Sequence, residues 1–135
     1  MLYIHIPFCK HRCIYCDFYS TTSINRTDEY VDALCKEMEM RRSYITDEIK
    51  SIYIGGGTPT TLNAEQLDLL IKTVKDNFDL TKCIEFTVEA GRPDTITKEK
   101  LDVLAVNGIE RISINPQTMK DETLKLIGRS HSVDD

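Results

Sequence analysis

Four short apolar runs recur along this chain, each followed by a helix-forming stretch, and this alternation restricts the fold more than any other feature. Residues 2–6 (Leu-Tyr-Ile-His-Ile), 51–54 (Ser-Ile-Tyr-Ile), 84–89 (Ile-Glu-Phe-Thr-Val-Glu) and 111–114 (Arg-Ile-Ser-Ile) have the length and side chains of strands. A helix is predicted from about Asp28 to Arg42, because Tyr30, Val31, Leu34, Cys35 and Met38 recur at spacings of three and four. Thr27 is its expected N-cap. Asn63 with Gln66 three residues on has the form of a capping box, and opens a helix striped by Leu67, Leu70, Ile71 and Val74. Thr97 starts a third helix bearing Leu101, Leu104 and Ala105, closed by Gly108. Asp121 is expected to cap a last short helix ending near Gly128. The order βαβαβαβα predicts an α/β fold with a parallel sheet and right-handed crossovers. Functional residues then belong on the loops beyond the carboxyl ends of the strands.

The loop after the first strand carries Cys9, Cys13 and Cys16 in the spacing C-x3-C-x2-C. A four-iron cluster normally takes four cysteine ligands, so three leave one iron open for a substrate or cofactor. Disulfides fit poorly: the chain has 5 cysteines, an odd number, and Met1 leads straight into a strand with no secretory signal before it. A reducing cytoplasm is the expected setting, where cysteine clusters bind metal or act in catalysis. Structural zinc is the alternative, with His5 or His11 as a fourth ligand, although no second C-x2-C or H-x3-H completes the pattern. Cys35, on a helix face, and Cys83, beside a strand, read as small core residues. His5 reads as a hydrogen-bonded structural histidine.

The other three loops also carry candidates. Gly55-Gly56-Gly57-Thr58-Pro59 is neither a Walker loop nor G-x-G-x-x-G. Consecutive glycines admit a ligand close to the backbone; a tight turn is the competing reading. Glu89 ends the third strand and can accept hydrogen bonds from ribose hydroxyls or a ligand ammonium. Glu85 shares its sheet face one layer deeper, so Glu89 is the expected site residue. Gln117 follows the fourth strand, and Arg129 could clamp a carboxylate in bidentate fashion. The 135 residues suit one domain. No apolar run is long enough to span a bilayer. A net charge of −5 without a basic stripe argues against nucleic acid.

The segment from Tyr3 through Cys9, Cys13, Tyr15 and Cys16, with Gly55-Gly-Gly-Thr-Pro59, resembles the radical S-adenosylmethionine (SAM) enzymes. Within them it is similar to the oxygen-independent coproporphyrinogen III oxidase family. The resemblance continues through Val88-Glu89-Ala90-Gly91-Arg92-Pro93 and Ile112-Ser-Ile-Asn-Pro-Gln117 to Ile127-Gly-Arg129. It implies that Cys9, Cys13 and Cys16 bind three irons of a [4Fe–4S] cluster whose fourth iron chelates SAM. Tyr3, Tyr15, Gly56, Gly57, Thr58 and Glu89 match positions that contact this SAM. Gly57, Thr58, Gln117 and Arg129 match positions around a second one. No catalytic residue is separable from these cofactor contacts.

The implied reaction is oxidative decarboxylation of coproporphyrinogen III propionates to vinyl groups by a 5′-deoxyadenosyl radical. An electron donor such as a flavodoxin or ferredoxin would be the partner. Two departures bear on this. Cys16-Asp17-Phe18 resembles the heme-chaperone branch, which binds heme, cluster and SAM without oxidase activity. The later segments resemble the coproporphyrinogen dehydrogenase branch and carry more weight, being longer. Family members build roughly six βα units in a (βα)6 barrel, with a C-terminal region beyond. Residues 1–135 are therefore expected to be a partial radical SAM core of about four βα units, with the first and fourth strands as sheet edges and no turnover on its own.

Overall fold

The computed structural model describes all residues, 1–135. It contains β1 (Leu2–Ile6), α1 (Thr27–Arg41), β2 (Ser51–Gly56), α2 (Ala64–Asn77), β3 (Glu85–Glu89), α3 (Lys98–Val106), β4 (Arg111–Ser113) and α4 (Asp121–Leu126). The strands form one sheet in the order β1-β2-β3-β4. Every pair is parallel. The expected α/β alternation is thus present, and β1 and β4 are its edges.

The alternation of side chains along each strand divides the sheet into two unlike faces. Ile4, Ile6, Ile52, Ile54 and Val88 all point to one face and are buried. There they join Val31 and Met38 of α1, Leu67, Leu70, Ile71 and Val74 of α2, and Leu104 of α3 in a single core. Each such aliphatic side chain contributes about 1.5–3 kcal/mol through burial. The other face carries Tyr3, His5, Tyr53, Glu85, Thr87, Glu89 and Arg111, in register across the strands. A parallel sheet covered on both faces reads as continuous apolar runs. Here only the helix-covered face is apolar, as for a barrel wall with a polar interior.

Helix α2 matches its sequence closely. Asn63 accepts from the Gln66 backbone N–H at 2.8 Å, and the Gln66 side chain accepts from the Asn63 N–H at 2.8 Å. Thr97 caps α3, accepting from Lys100 N–H at 3.3 Å. Three expectations need correction. Thr27 is not an N-cap. A 3-10 turn over Ile24–Arg26 feeds directly into α1, so Thr27 is already helical, and its hydroxyl accepts from the Gln66 side chain instead. Asp121 is the first residue of α4, not its cap. Its carboxylate accepts from Val133 N–H at 2.8 Å, which ties down the C-terminal segment. In α3, Leu101 and Ala105 are exposed. That helix is covered only by the sheet and α2, so Leu104 and Asn107 form its inward edge.

Candidate functional site

The cysteine loop is fixed at both of its ends by the backbone. Thr21 N–H donates to Pro7 O at 2.7 Å and Cys9 N–H donates to Thr21 O at 2.9 Å, a short parallel bridge that continues β1. His5 Nε2 donates to Tyr19 O at 2.9 Å, while its Nδ1 accepts from the Tyr3 hydroxyl at 3.0 Å. His5 therefore has the structural role its position suggested. From the far end of the chain, Ile127 O accepts from Ile14 N–H at 3.3 Å. Residues 9–20 are held as a closed loop over the carboxyl end of the sheet.

The glycine run faces this loop. Gly55 and Gly56 belong to β2, which runs two residues beyond the expected end. Gly56 has a φ of +120°, where a side chain would be strained. A Cβ on Gly57 would lie 2.8 Å from Phe8 O and 2.9 Å from Cys9 Sγ. The absent side chain is what lets the cysteine loop close down. Thr58 is buried beside it, its Oγ1 3.5 Å from Cys9 Sγ.

Cys9, Cys13 and Cys16 are free thiols lining one cavity of about 120 Å³. Tyr15, Gly56, Gly57 and Thr58 share that lining, as do Glu89, Gln117 and Arg129. Ten of the eleven residues singled out by sequence are thus brought together. Tyr3 is not. Its ring stacks on Tyr53 at 6.3 Å, on the polar sheet face below the cavity. His11 lines the cavity, but no group of three His, Cys, Asp or Glu side chains converges on a single ion.

Glu89 is half-buried. It accepts from Gly56 N–H at 3.3 Å and from the Asn115 side chain at 2.9 Å. Burial pushes its carboxyl above the usual range, and these two hydrogen bonds offset that in part. Glu85 lies at the opposite end of β3, exposed and paired with Arg111 at 2.6 Å, so the choice of Glu89 over Glu85 agrees with the geometry. Burial first, and then hydrogen bonding by Cys13, push the Tyr15 phenol up. Gln117 has a φ of +70°, a rare conformation for a residue with a side chain.

Two buried arginines meet at this cavity. Arg129 donates to Gly91 O, and to Asn115 O at 2.9 Å, joining the loops after β3 and β4. Arg92 donates to His11 O at 2.7 Å and to Cys13 Sγ at 3.0 Å. Neither has a carboxylate partner, and Arg129 Nε and Arg92 Nη1 are buried with no hydrogen-bond acceptor. Sequence reasoning gives no role to Arg92 or Asn115, although Pro93 carries a signal. A residue before proline is held extended. Arg92 is so held, at φ −132° and ψ 111°, and its side chain turns inward.

These features define a radical SAM core wall. Residues 3–135 match the Radical SAM superfamily, and the chain belongs to it. It is 45% identical over 141 residues to the oxygen-independent coproporphyrinogen-III oxidase-like protein HemZ of Bacillus subtilis, covering 99% of this chain and 28% of that protein. It is 41% identical to the heme chaperone HemW of Lactococcus lactis, covering 96% of this chain and 34% of that one. Among solved structures, coproporphyrinogen III oxidase (HemN) from Escherichia coli superposes with a TM-score of 0.84 at 32% identity, covering 97% of this chain and 31% of that one. The chain spans about a third of the length of these relatives.

The cofactors of this superfamily are a [4Fe–4S] cluster and SAM. The cavity suits them. Three thiols, two buried cations without anionic partners and two orphaned N–H groups together form a site for an anionic centre. Buried charges left unpaired are costly, and buried polar atoms are ordinarily satisfied. No helix is long and apolar enough to cross a membrane.

Proposed function

We propose that this chain is part of the core of a radical SAM oxidoreductase that decarboxylates the propionates of coproporphyrinogen III to vinyl groups. The observation that carries the reading is the cavity where three free cysteines meet two buried, carboxylate-free arginines. Cys9, Cys13 and Cys16 would hold the cluster, and Tyr15, Gly56, Gly57, Thr58 and Glu89 the SAM. Gln117 and Arg129 would stand beside a second SAM, and Tyr3 would act from the sheet face below. The cofactors supply one-electron cleavage of SAM and hydrogen-atom abstraction; the protein positions and shields that chemistry.

Each residue has a stated task. Gly57 admits the cysteine loop, and Glu89 offers carboxylate oxygens to ligand hydroxyls or an ammonium. Arg129 holds two loops in register. The polar face of the sheet supplies a wall against which a porphyrinogen could lie. A reducing compartment such as the cytoplasm keeps the five cysteines as thiols, and a flavodoxin or ferredoxin would deliver the electron.

A second reading has its own support. Cys16-Asp17-Phe18 and the likeness to HemW favour a heme chaperone that keeps cluster and SAM. The experiment is an anaerobic assay of a polypeptide of the relatives' length carrying these residues, with reductant, SAM and coproporphyrinogen III. Vinyl product and carbon dioxide are expected. Heme binding and transfer without decarboxylation would overturn the oxidase reading in favour of the chaperone.

A further inference from the structure

The most unusual contact in the molecule is between a buried guanidinium and a buried thiol. Arg92 is 4% exposed and Cys13 7% exposed. One Nη2 group of Arg92 bridges Cys13 Sγ at 3.0 Å and His11 O at 2.7 Å. The other terminal nitrogen, Nη1, is buried with no acceptor. Arg92 forms no ion pair with any carboxylate; the nearby acidic group, Asp94, is paired with Lys10 at 3.3 Å. Its backbone is fixed by Pro93, and its carbonyl accepts from the Thr95 hydroxyl at 2.7 Å. The guanidinium is therefore locked in place with its charge directed at the cysteine loop.

We propose that Arg92 is a positioning residue that donates an N–H···S hydrogen bond to the Cys13 thiolate of the bound cluster and thereby raises the cluster's reduction potential. The inference rests on the reading of Cys13 as a cluster ligand. Hydrogen bonds to cluster sulfurs and net charge are the protein's main controls of such potentials. Reduction adds one electron to a centre already negative from its thiolates. A fixed cation bonded to one of those sulfurs stabilises the reduced form more than the oxidised form. An arginine suits this role because its delocalised cation carries several N–H donors in a fixed planar arrangement. The unpartnered Nη1 has room for a second acceptor on the same anionic centre.

The test is the midpoint potential of the cluster in the anaerobically reconstituted protein, read by electron paramagnetic resonance of the reduced state, for wild type, Arg92→Gln and Arg92→Lys. Glutamine removes the charge; lysine keeps it but loses the rigid planar guanidinium whose Nη2 reaches both His11 O and Cys13 Sγ. A shift to more negative potential is expected in Arg92→Gln, about tenfold less reduced cluster at fixed potential, or about 59 mV for a one-electron couple. Arg92→Lys should fall between the two. An unchanged potential in whichever variant loads the cluster overturns the inference. So does failure of both variants to load while circular dichroism shows them folded, because Arg92 would then be a loop scaffold only. Absence of a cluster in wild type would instead sink the assignment of Cys13 as a ligand, and that outcome is separately visible in the iron content.

Discussion

At the scale of single residues, the site depends on one atom that is missing. Gly57 has no Cβ, and one placed there would meet Cys9 Sγ at 2.9 Å and backbone at 2.8 Å. Gly57→Ala should therefore displace the cysteine loop at a cost of about 1–3 kcal/mol. Urea unfolding and iron content after reconstitution would both fall; a variant that loads iron normally would contradict the close approach. Glu89 yields a pH dependence. Its folded-state pKa is raised, so as pH climbs past about 4, the unfolded carboxyl ionises before the folded one. The Glu89 contribution to stability thus falls with rising pH and stays lower above the folded value. Measured against Glu89→Gln, wild type should lose relative stability from acid to neutral pH. On the proposed role of Glu89 as a SAM contact, the same substitution should weaken SAM binding about tenfold by calorimetry, since a charged acceptor is lost. Glu89 is legible in the sequence because it closes a strand on the functional rim. Arg92 is not, because its partners, His11 and Cys13, lie far away in the chain and no spacing connects them.

At the scale of elements, α2 is the keystone of the helix layer. Its four stripe residues, Leu67, Leu70, Ile71 and Val74, have no exposed surface at all. Leu70→Ala should cost about 2–5 kcal/mol, seen as a lower urea midpoint with an unchanged slope. Asn63→Ala should cost about 1 kcal/mol by removing half of the capping box. The stripe and the capping box are local and periodic signals, so the amino-acid sequence alone carries them. The misses share the opposite cause. Thr27 is the right residue type for a cap, but a 3-10 turn before it moves the helix start upstream. The expected stripe of α3 is only partly buried, with Leu104 inside and Leu101 and Ala105 exposed, because burial there is decided by neighbours rather than by period. Strand β2 outruns its expected end because pairing with β1 carries the glycines into the sheet, where Ile6 stands opposite Gly56.

At the scale of the whole molecule, the sheet has two open edges. Thr21 covers only the stretch just beyond β1. Strand β4 and the residue after it offer Ile112 and Ile114 at 36% and 50% exposure. Open parallel edges invite pairing between chains. Sedimentation velocity of this chain should show concentration-dependent association, reduced by Ile114→Lys; a monomer at every attainable concentration would show that the edges are protected. Strand order makes the edges legible in the sequence, but nothing in it marks the bond that joins Ile14 to Ile127. That bond has a consequence for the birth of the protein. At translation rates of about 5–20 residues per second, the ribosome takes on the order of ten seconds to pass from Cys16 to Ile127. During that interval the three thiols are already made but lack the clasp at Ile127, and until Arg92 is added they lack its guanidinium as well. They are then most open to oxidants and to stray metal. The moment at which this loop becomes a defined receptacle is set by residues made on the order of a hundred codons after it.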